Sequence, residues 1–246
     1  MLKEFGLALT FLTIMPLPRR LTAEARELAA SMAWFPLVGL FLGGLLAAAA
    51  LGLQPWLPAP AKAALLVALL AITTRALHLD GLADTLDGLG GGHTRADSLR
   101  IMKDHSVGAF GAVGIALTLL VKYGLLTGLL ETGQTGFLLI FPVVSRSAMV
   151  LLAYLSPYAR PEGGLGEAMT ALTTGRIMAL AGASAVVIVI VAGQWQGLAA
   201  LLAAALATLG LARYFRHRLG GVTGDVLGAT NEIMEIVALL VLSGWL

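Results

Sequence analysis

The chain is 246 residues long, 58% hydrophobic and 12% charged, with a net charge of +2 and no cysteine. A soluble domain carries roughly 25% charged residues, and a water-exposed fold could not hide this much apolar sequence, so the bilayer is the fitting solvent. The small net charge gives no sign of a nucleic-acid partner, and the lack of cysteine excludes disulfides, thiolate zinc sites and thiol nucleophiles.

Phe5 to Met15 is an apolar run behind Lys3, and Pro16, Pro18, Arg19 and Arg20 follow it where a signal peptide would carry small residues for cleavage. We read it as retained, too short to span, and lying at the interface or entering partway. Runs approaching the ~20 residues needed to cross follow at Met32 to Leu53, Ala61 to about Leu77, Val107 to Leu130 and Gly136 to Leu155. Ile177 to Gly193 and Gly197 to Ala212 read as a hairpin around Gln194-Trp195-Gln196, and Ile233 to Leu246 closes the chain. The expectation is an all-α, polytopic transmembrane helical bundle of about seven spans, forming one integral membrane domain over residues 1–246.

Basic residues give the orientation. Lys3, Arg19, Arg20 and Arg26 precede the first span, Arg75, Arg95, Arg100 and Lys103 lie in or near the second connection, Arg160 and Arg176 in the fourth, and Arg213, Arg216 and Arg218 in the sixth. The alternate connections carry only Lys62. The positive-inside rule then places the N-terminus in the cytosol. Lys122, within the third run, is the exception. There is no internal repeat and no separate soluble domain. Polar residues concentrate in a connection of about 30 residues, from about 78 to 107, and in a second one from about 213 to 232.

The first polar connection opens with His78-Leu-Asp-Gly-Leu-Ala-Asp-Thr-Leu-Asp-Gly. On a helix, Asp80, Asp84 and Asp87 fall within an arc of about 60°, where like charges repel. No Lys or Arg lies between Arg75 and Arg95 to neutralise them. A hard divalent cation would remove that repulsion, and an all-oxygen ligand set fits magnesium better than zinc; a solvated acidic face is the plainer reading. His78 would point to the other side and could serve as a hydrogen-bonding group. Arg100 and Lys103 share a helical face, with Asp104 four residues from Arg100; such cations suit a phosphate-bearing substrate or simple interfacial anchoring. Arg146, inside an apolar run, costs at least ~2.5 kcal/mol at depth and needs an anionic partner, either a carboxylate or a substrate phosphate. A second acidic set, Asp225, Glu232 and Glu235, shares the last polar stretch with Gly220, Gly221, Gly224 and Asn231. Asn231 and Glu232 fall at the start of the last span, where carboxylates need partners or a metal. Both sets lie at cytosolic ends, so together they would form a metal-assisted phosphoryl-transfer site.

His78-Leu-Asp-Gly-Leu-Ala-Asp-Thr-Leu-Asp-Gly, with Arg100-Ile-Met-Lys-Asp, Gly108-Ala-Phe-Gly, the early Phe11-Leu-Thr-Ile-Met-Pro-Leu-Pro and the late Gly221-Val-Thr-Gly-Asp-Val-Leu-Gly-Ala, resembles the cobalamin synthase family, the adenosylcobinamide-GDP ribazoletransferases. Order and spacing agree over nearly the whole chain. The resemblance implies a multi-pass inner-membrane enzyme with its site on the cytosolic side. It would join adenosylcobinamide-GDP to α-ribazole or its 5′-phosphate with magnesium, releasing GMP. Asp80, Asp84, Asp87, Asp225 and Glu232 would be catalytic and, with Glu235, would hold the metal. Arg100, Lys103, Asp104, Arg146, His78 and Asn231 would contact substrate. The expected partners are the corrinoid nucleotide, the ribazole and the lipid bilayer, with room for a homo-oligomer or for other cobalamin-assembly enzymes. Two alternatives stand beside it. A CDP-alcohol phosphotransferase-like enzyme would need an arginine where Thr85 stands. A cation-coupled transporter would fit intramembrane charges, but its usual repeated halves are missing.

Overall fold

Inside a bilayer the backbone must satisfy its own hydrogen bonds, which turns long apolar runs into helices. The computed structural model describes residues 2–16, 24–104 and 106–244; Arg19 and Arg20 lie outside them. α1 (Leu2–Leu12) packs against α2 (Ala25–Ser31) and α3 (Phe35–Leu53) through buried Leu7, Ala8 and Leu12. A 3-10 turn, Met32–Trp34, joins α2 to α3, and α4 (Ala59–Thr73) follows. α5 (Leu77–Gly91) and α6 (Arg95–Ile101) occupy most of the polar stretch read from sequence as a connection. Then come α7 (Ala109–Glu131), α8 (Phe141–Leu155), α9 (Leu165–Ala171), α10 (Gly175–Leu219) and α11 (Gly224–Ser243). The fold is all-α and polytopic, and no strand occurs among the described residues.

Five stretches are long and apolar enough to cross a membrane: Ala25–Leu53, Ala109–Glu131, Thr135–Leu155, Gly175–Leu219 and Gly224–Ser243. A sixth arises if α4 and α5, bent by 87°, count as one broken span. α8 is the centre of the bundle, with every residue from Phe141 to Val150 buried. α7 and α10 turn Leu117, Leu120, Val187, Val191, Leu202 and Leu206 outward, the apolar surface a bilayer would cover.

Two breaks shape the bundle. Between α4 and α5, Arg75 and Ala76 both have positive φ, 54° and 52°, a conformation costing an L-residue about 1–2 kcal/mol. The turn is held by the Ala76 N–H donating to Ala71 O at 2.8 Å and by Arg75 Nη2 donating to Thr10 O at 3.2 Å. In α10, Gln194 leaves helical geometry at φ 49° and ψ −133°. A Cβ built on Gly197 would meet the Val189 side chain at 3.2 Å. Residues eight apart in a continuous helix are separated by ~12 Å, so the chain doubles back here. This is the hairpin read from sequence, and it packs through small residues: Ala181, Ala185 and Gly193 on one arm, Gly197, Ala200 and Ala204 on the other.

Candidate active site

The 87° bend aims α5 along α11. A Cβ on Gly81 would lie 2.7 Å from the Asp225 carbonyl oxygen, and one on Gly228 would lie 3.3 Å from the His78 Cα. Glycines at both positions let the two backbones touch. This contact brings the two separated acidic sequences to one place. Asp225 stands in the first turn of α11, which Thr223 caps by accepting from the Val226 N–H at 3.3 Å.

The three aspartates of α5 meet different surroundings. Asp80 is exposed and its carboxylate has no hydrogen bond or ion pair among the described residues. Asp84 is half-buried, also without either, and lies in the field of Asp225, Asp80 and Asp87. Asp87 is buried, and its two oxygens accept from the N–H groups of Gly108 at 2.7 Å and Gly111 at 2.9 Å. It thereby caps the N-terminus of α7, where a carboxylate also suits the helix dipole.

Across from α5 lies the turn 156–163. Arg160 Nη2 donates to Asp225 Oδ2 at 2.7 Å and to Met102 O at 3.3 Å. The turn is fixed to the start of α11 by a bridge between Tyr158 and Val222, with the Ala159 N–H donating to Val222 O at 2.9 Å. Arg95 Nη2 donates to Ala159 O at 2.8 Å, tying in α6. Lys103 pairs with Glu162 and holds that carboxyl below its usual range. Arg100 is exposed near Asp97, and Asp104 accepts from the Ser106 N–H at 3.1 Å. Between these walls opens a cavity of about 290 Å³, bordered by Asp80, Gly81, Tyr158, Arg160 and Asp225 and reaching inward to His78.

The remaining acidic residues form a second, deeper cluster. α11 begins at Gly224, nine residues before the last span read from sequence, so Asn231 and Glu232 lie two turns inside it rather than at its start. Lys122 Nζ bonds Glu232 at 2.6 Å and also bonds Glu235, which in turn pairs with Arg146. Asn231 Nδ2 donates to Glu235 at 3.1 Å. Arg146 and Glu235 are wholly buried. Arg146 pairs with Glu235 alone, and Lys122 supplies the second cation of the cluster. The second acidic set is therefore divided along α11, with Asp225 at the cavity and Glu232 and Glu235 in ion pairs below it.

Among the described residues no three His, Asp or Glu side chains close into a ready metal site. Magnesium does not demand one, because it commonly binds through one or two carboxylates, waters and substrate phosphates. Asp80 and Asp84, free of ion pairs, with Asp225 beside them, are a donor set of that kind.

The family model described as cobalamin-5-phosphate synthase matches residues 4–243. The chain belongs to the cobalamin-5-phosphate synthase family. Relatives carrying the name adenosylcobinamide-GDP ribazoletransferase include one from Syntrophobacter fumaroxidans, 46% identical over 97% of this chain and 97% of its own length. Others are from Chlorobaculum parvum, 40% identical over 100% and 97%, and Klebsiella pneumoniae, 38% identical over 98% and 100%. No solved structure matches. Two residues of this cobalamin-5-phosphate synthase family member gain roles that sequence reasoning did not give them. Arg160 counted only toward the charge of its connection, and its proline-flanked turn, Ser156-Pro157-Tyr158-Ala159-Arg160-Pro161, was the available signal. Lys122 was an exception to the charge pattern, and that very misplacement was the sign of a buried partner.

Proposed function

We propose that the chain transfers the corrinoid phosphate of adenosylcobinamide-GDP to α-ribazole or its 5′-phosphate, releasing GMP, at the cavity bordered by Asp80, Asp225 and Arg160, with Asp84 one turn along α5 from Asp80. The carrying observation is the contact of Gly81 with Asp225, which unites two acidic sequences beside an arginine. A ribose hydroxyl of the acceptor forms a P–O bond to the phosphorus bearing the corrinoid, and the P–O bond to GMP breaks. The hydroxyl proton passes to a carboxylate of the rim. Arg160 orients and neutralises phosphate oxygens, with Arg100 and Lys103 at the outer margin. Magnesium, held by Asp80, Asp84 and Asp225, would supply charge neutralisation at the diphosphate. Asp87 shapes the site from behind by anchoring α7.

We place the enzyme in the inner membrane with this cavity toward the cytosol. Arg95, Arg100, Lys103, Arg160, Arg176, Arg213, Arg216 and Arg218 gather on the connections at the site's end, while residues 54–58, 132–134 and 194–196 carry no Lys or Arg. The test is purified protein in liposomes with both substrates, following GMP and the corrinoid product. The expected result is stoichiometric formation of both, lost in EDTA and restored by magnesium. GMP without a joined corrinoid product, or full turnover in EDTA, would refute the proposal in its first or second part.

A further inference from the structure

The second arm of the α10 hairpin runs from Trp195 to Leu219. Its roughly 25 residues span ~37 Å at 1.5 Å per residue, against a hydrocarbon core of ~30 Å. With exposed Trp195 at one interface, where such rings settle, the turns from Arg213 onward stand at headgroup level on the opposite side. That side also carries the active-site cavity, because the Arg95 guanidinium packs against Gly220 and holds the Arg160 turn through Ala159 O. Leu202, Leu206, Leu209, Arg213, Arg216 and His217 fall within an arc of about 100° on the helix, and all six are exposed. One outward stripe therefore changes from leucine to cation where the bilayer changes from acyl chain to headgroup.

These cations are uncommitted. Arg95, Lys103 and Arg160 are engaged with Ala159 O, Glu162 and Asp225. The side chains of Arg213, Arg216 and His217 have no hydrogen bond or ion pair among the described residues, and no Asp or Glu occurs between Glu167 and Asp225. A groove of about 660 Å³ opens here, lined by Gly210, Arg213, Tyr214, Arg216 and His217. A Cβ on Gly210 would meet nothing within 4 Å, so bare backbone lies just below the guanidiniums. Tyr214 is set edge-on against buried Phe215, with ring centroids 5.3 Å apart. Cations without acidic partners, at headgroup depth and above a row of leucines, complement an anionic phospholipid.

We propose that this groove binds an anionic glycerophospholipid from the leaflet on the cavity's side. Its phosphate lies between Arg213 and Arg216, its glycerol backbone covers Gly210, and an acyl chain follows Leu209, Leu206 and Leu202. The lipid holds the end of α10 at a set depth, just before the chain turns through Gly220 toward Asp225. It is separate from the cavity bordered by Asp80, Arg160 and Asp225 and takes no part in group transfer.

The test is lipid retention by the purified full-length protein in detergent, read by native mass spectrometry with phosphatidylglycerol and phosphatidylcholine of identical acyl chains. Each arginine near an anionic lipid is worth about fivefold in binding, so phosphatidylglycerol should be retained about 20-fold better. Arg213→Gln combined with Arg216→Gln should cut that preference at least tenfold. Gly210→Phe, which closes the groove and leaves every charge in place, should cut it at least fivefold. Equal retention of the two lipids by the unaltered protein, a comparison needing no variant to fold, overturns the site. So does a preference that stays within twofold of the parent in either variant. Glycerol 3-phosphate should not displace the lipid; displacement would make this a free-phosphate site and overturn the lipid assignment. The KM for adenosylcobinamide-GDP should be unmoved in the double variant. A tenfold rise would give these arginines to the substrate's diphosphate and overturn the proposal as well.

Discussion

Asp80, Asp84 and Asp87 are chemically identical, and the fold gives them different work. Asp87 spends both oxygens on the N–H groups of Gly108 and Gly111, whereas Asp80 and Asp84 keep theirs uncommitted. Asp84→Asn should therefore lower kcat about 100-fold or more while leaving the melting temperature near that of the parent. Asp87→Ala should do the reverse first: orphaning the buried Gly111 N–H costs about 1–3 kcal/mol, with the partly buried Gly108 N–H adding less, read as a lower melting temperature in detergent. Equal losses of activity at unchanged stability for both variants would show that the two aspartates share one role. Arg160 also divides from Arg146 on this scale. Arg160→Ala should raise the KM for adenosylcobinamide-GDP about tenfold, because it removes a charge-assisted contact to phosphate. A donor KM unchanged in this variant would remove Arg160 from the phosphate site.

At the scale of elements, the site depends on how closely α5 approaches α11. Gly81→Leu places a side chain against the Asp225 backbone, so the helices must separate. Activity should fall at least tenfold, with a loss of roughly 1–3 kcal/mol from overpacking, seen together in turnover and thermal melts. Much of this element layout was legible in the sequence. The run from Val107 to Leu130 became α7, and Gln194-Trp195-Gln196 marked the reversal in α10, because apolar length and polar punctuation report such features directly. The bend at Arg75 and Ala76 was not legible. Left-handed conformations at an arginine and an alanine are imposed by the contacts that α1 and α4 make around them, and neither residue advertises them. The acidic motif gave its residues but not their division of labour, because that depends on whose backbone N–H groups lie opposite each carboxylate. The start of α11 was misjudged for a related reason. Asn231, Glu232 and Glu235 look like the polar edge of a span until Lys122 and Arg146 are set beside them.

For the whole molecule, the natural absence of cysteine makes orientation directly measurable. Single cysteines at Trp56 and at Glu162, both exposed, should label from opposite sides of sealed inside-out vesicles, with Glu162 on the accessible face. Labelling of both from one side would overturn the proposed topology. The buried ion cluster couples distant parts of the chain: Lys122 and Glu232 are 110 residues apart in sequence. Lys122→Met leaves Glu232 without a cation and Glu235 with only Arg146, a loss of about 3–5 kcal/mol. Adding Glu232→Gln should recover part of the lost melting temperature; no recovery would mean that the pair is not the source of the defect.

The same ion cluster sets a condition on how the protein is made. During synthesis α7 and α8 leave the ribosome while α11 is still untranslated, so Lys122 and Arg146 reach the translocon before any counter-ion exists for them. A nascent chain stopped just before Gly224 would have to keep two stranded cations in lipid, and it should be cleared by quality-control proteases rather than retained. The last helix to be born is in this sense the one that licenses its predecessors to stay.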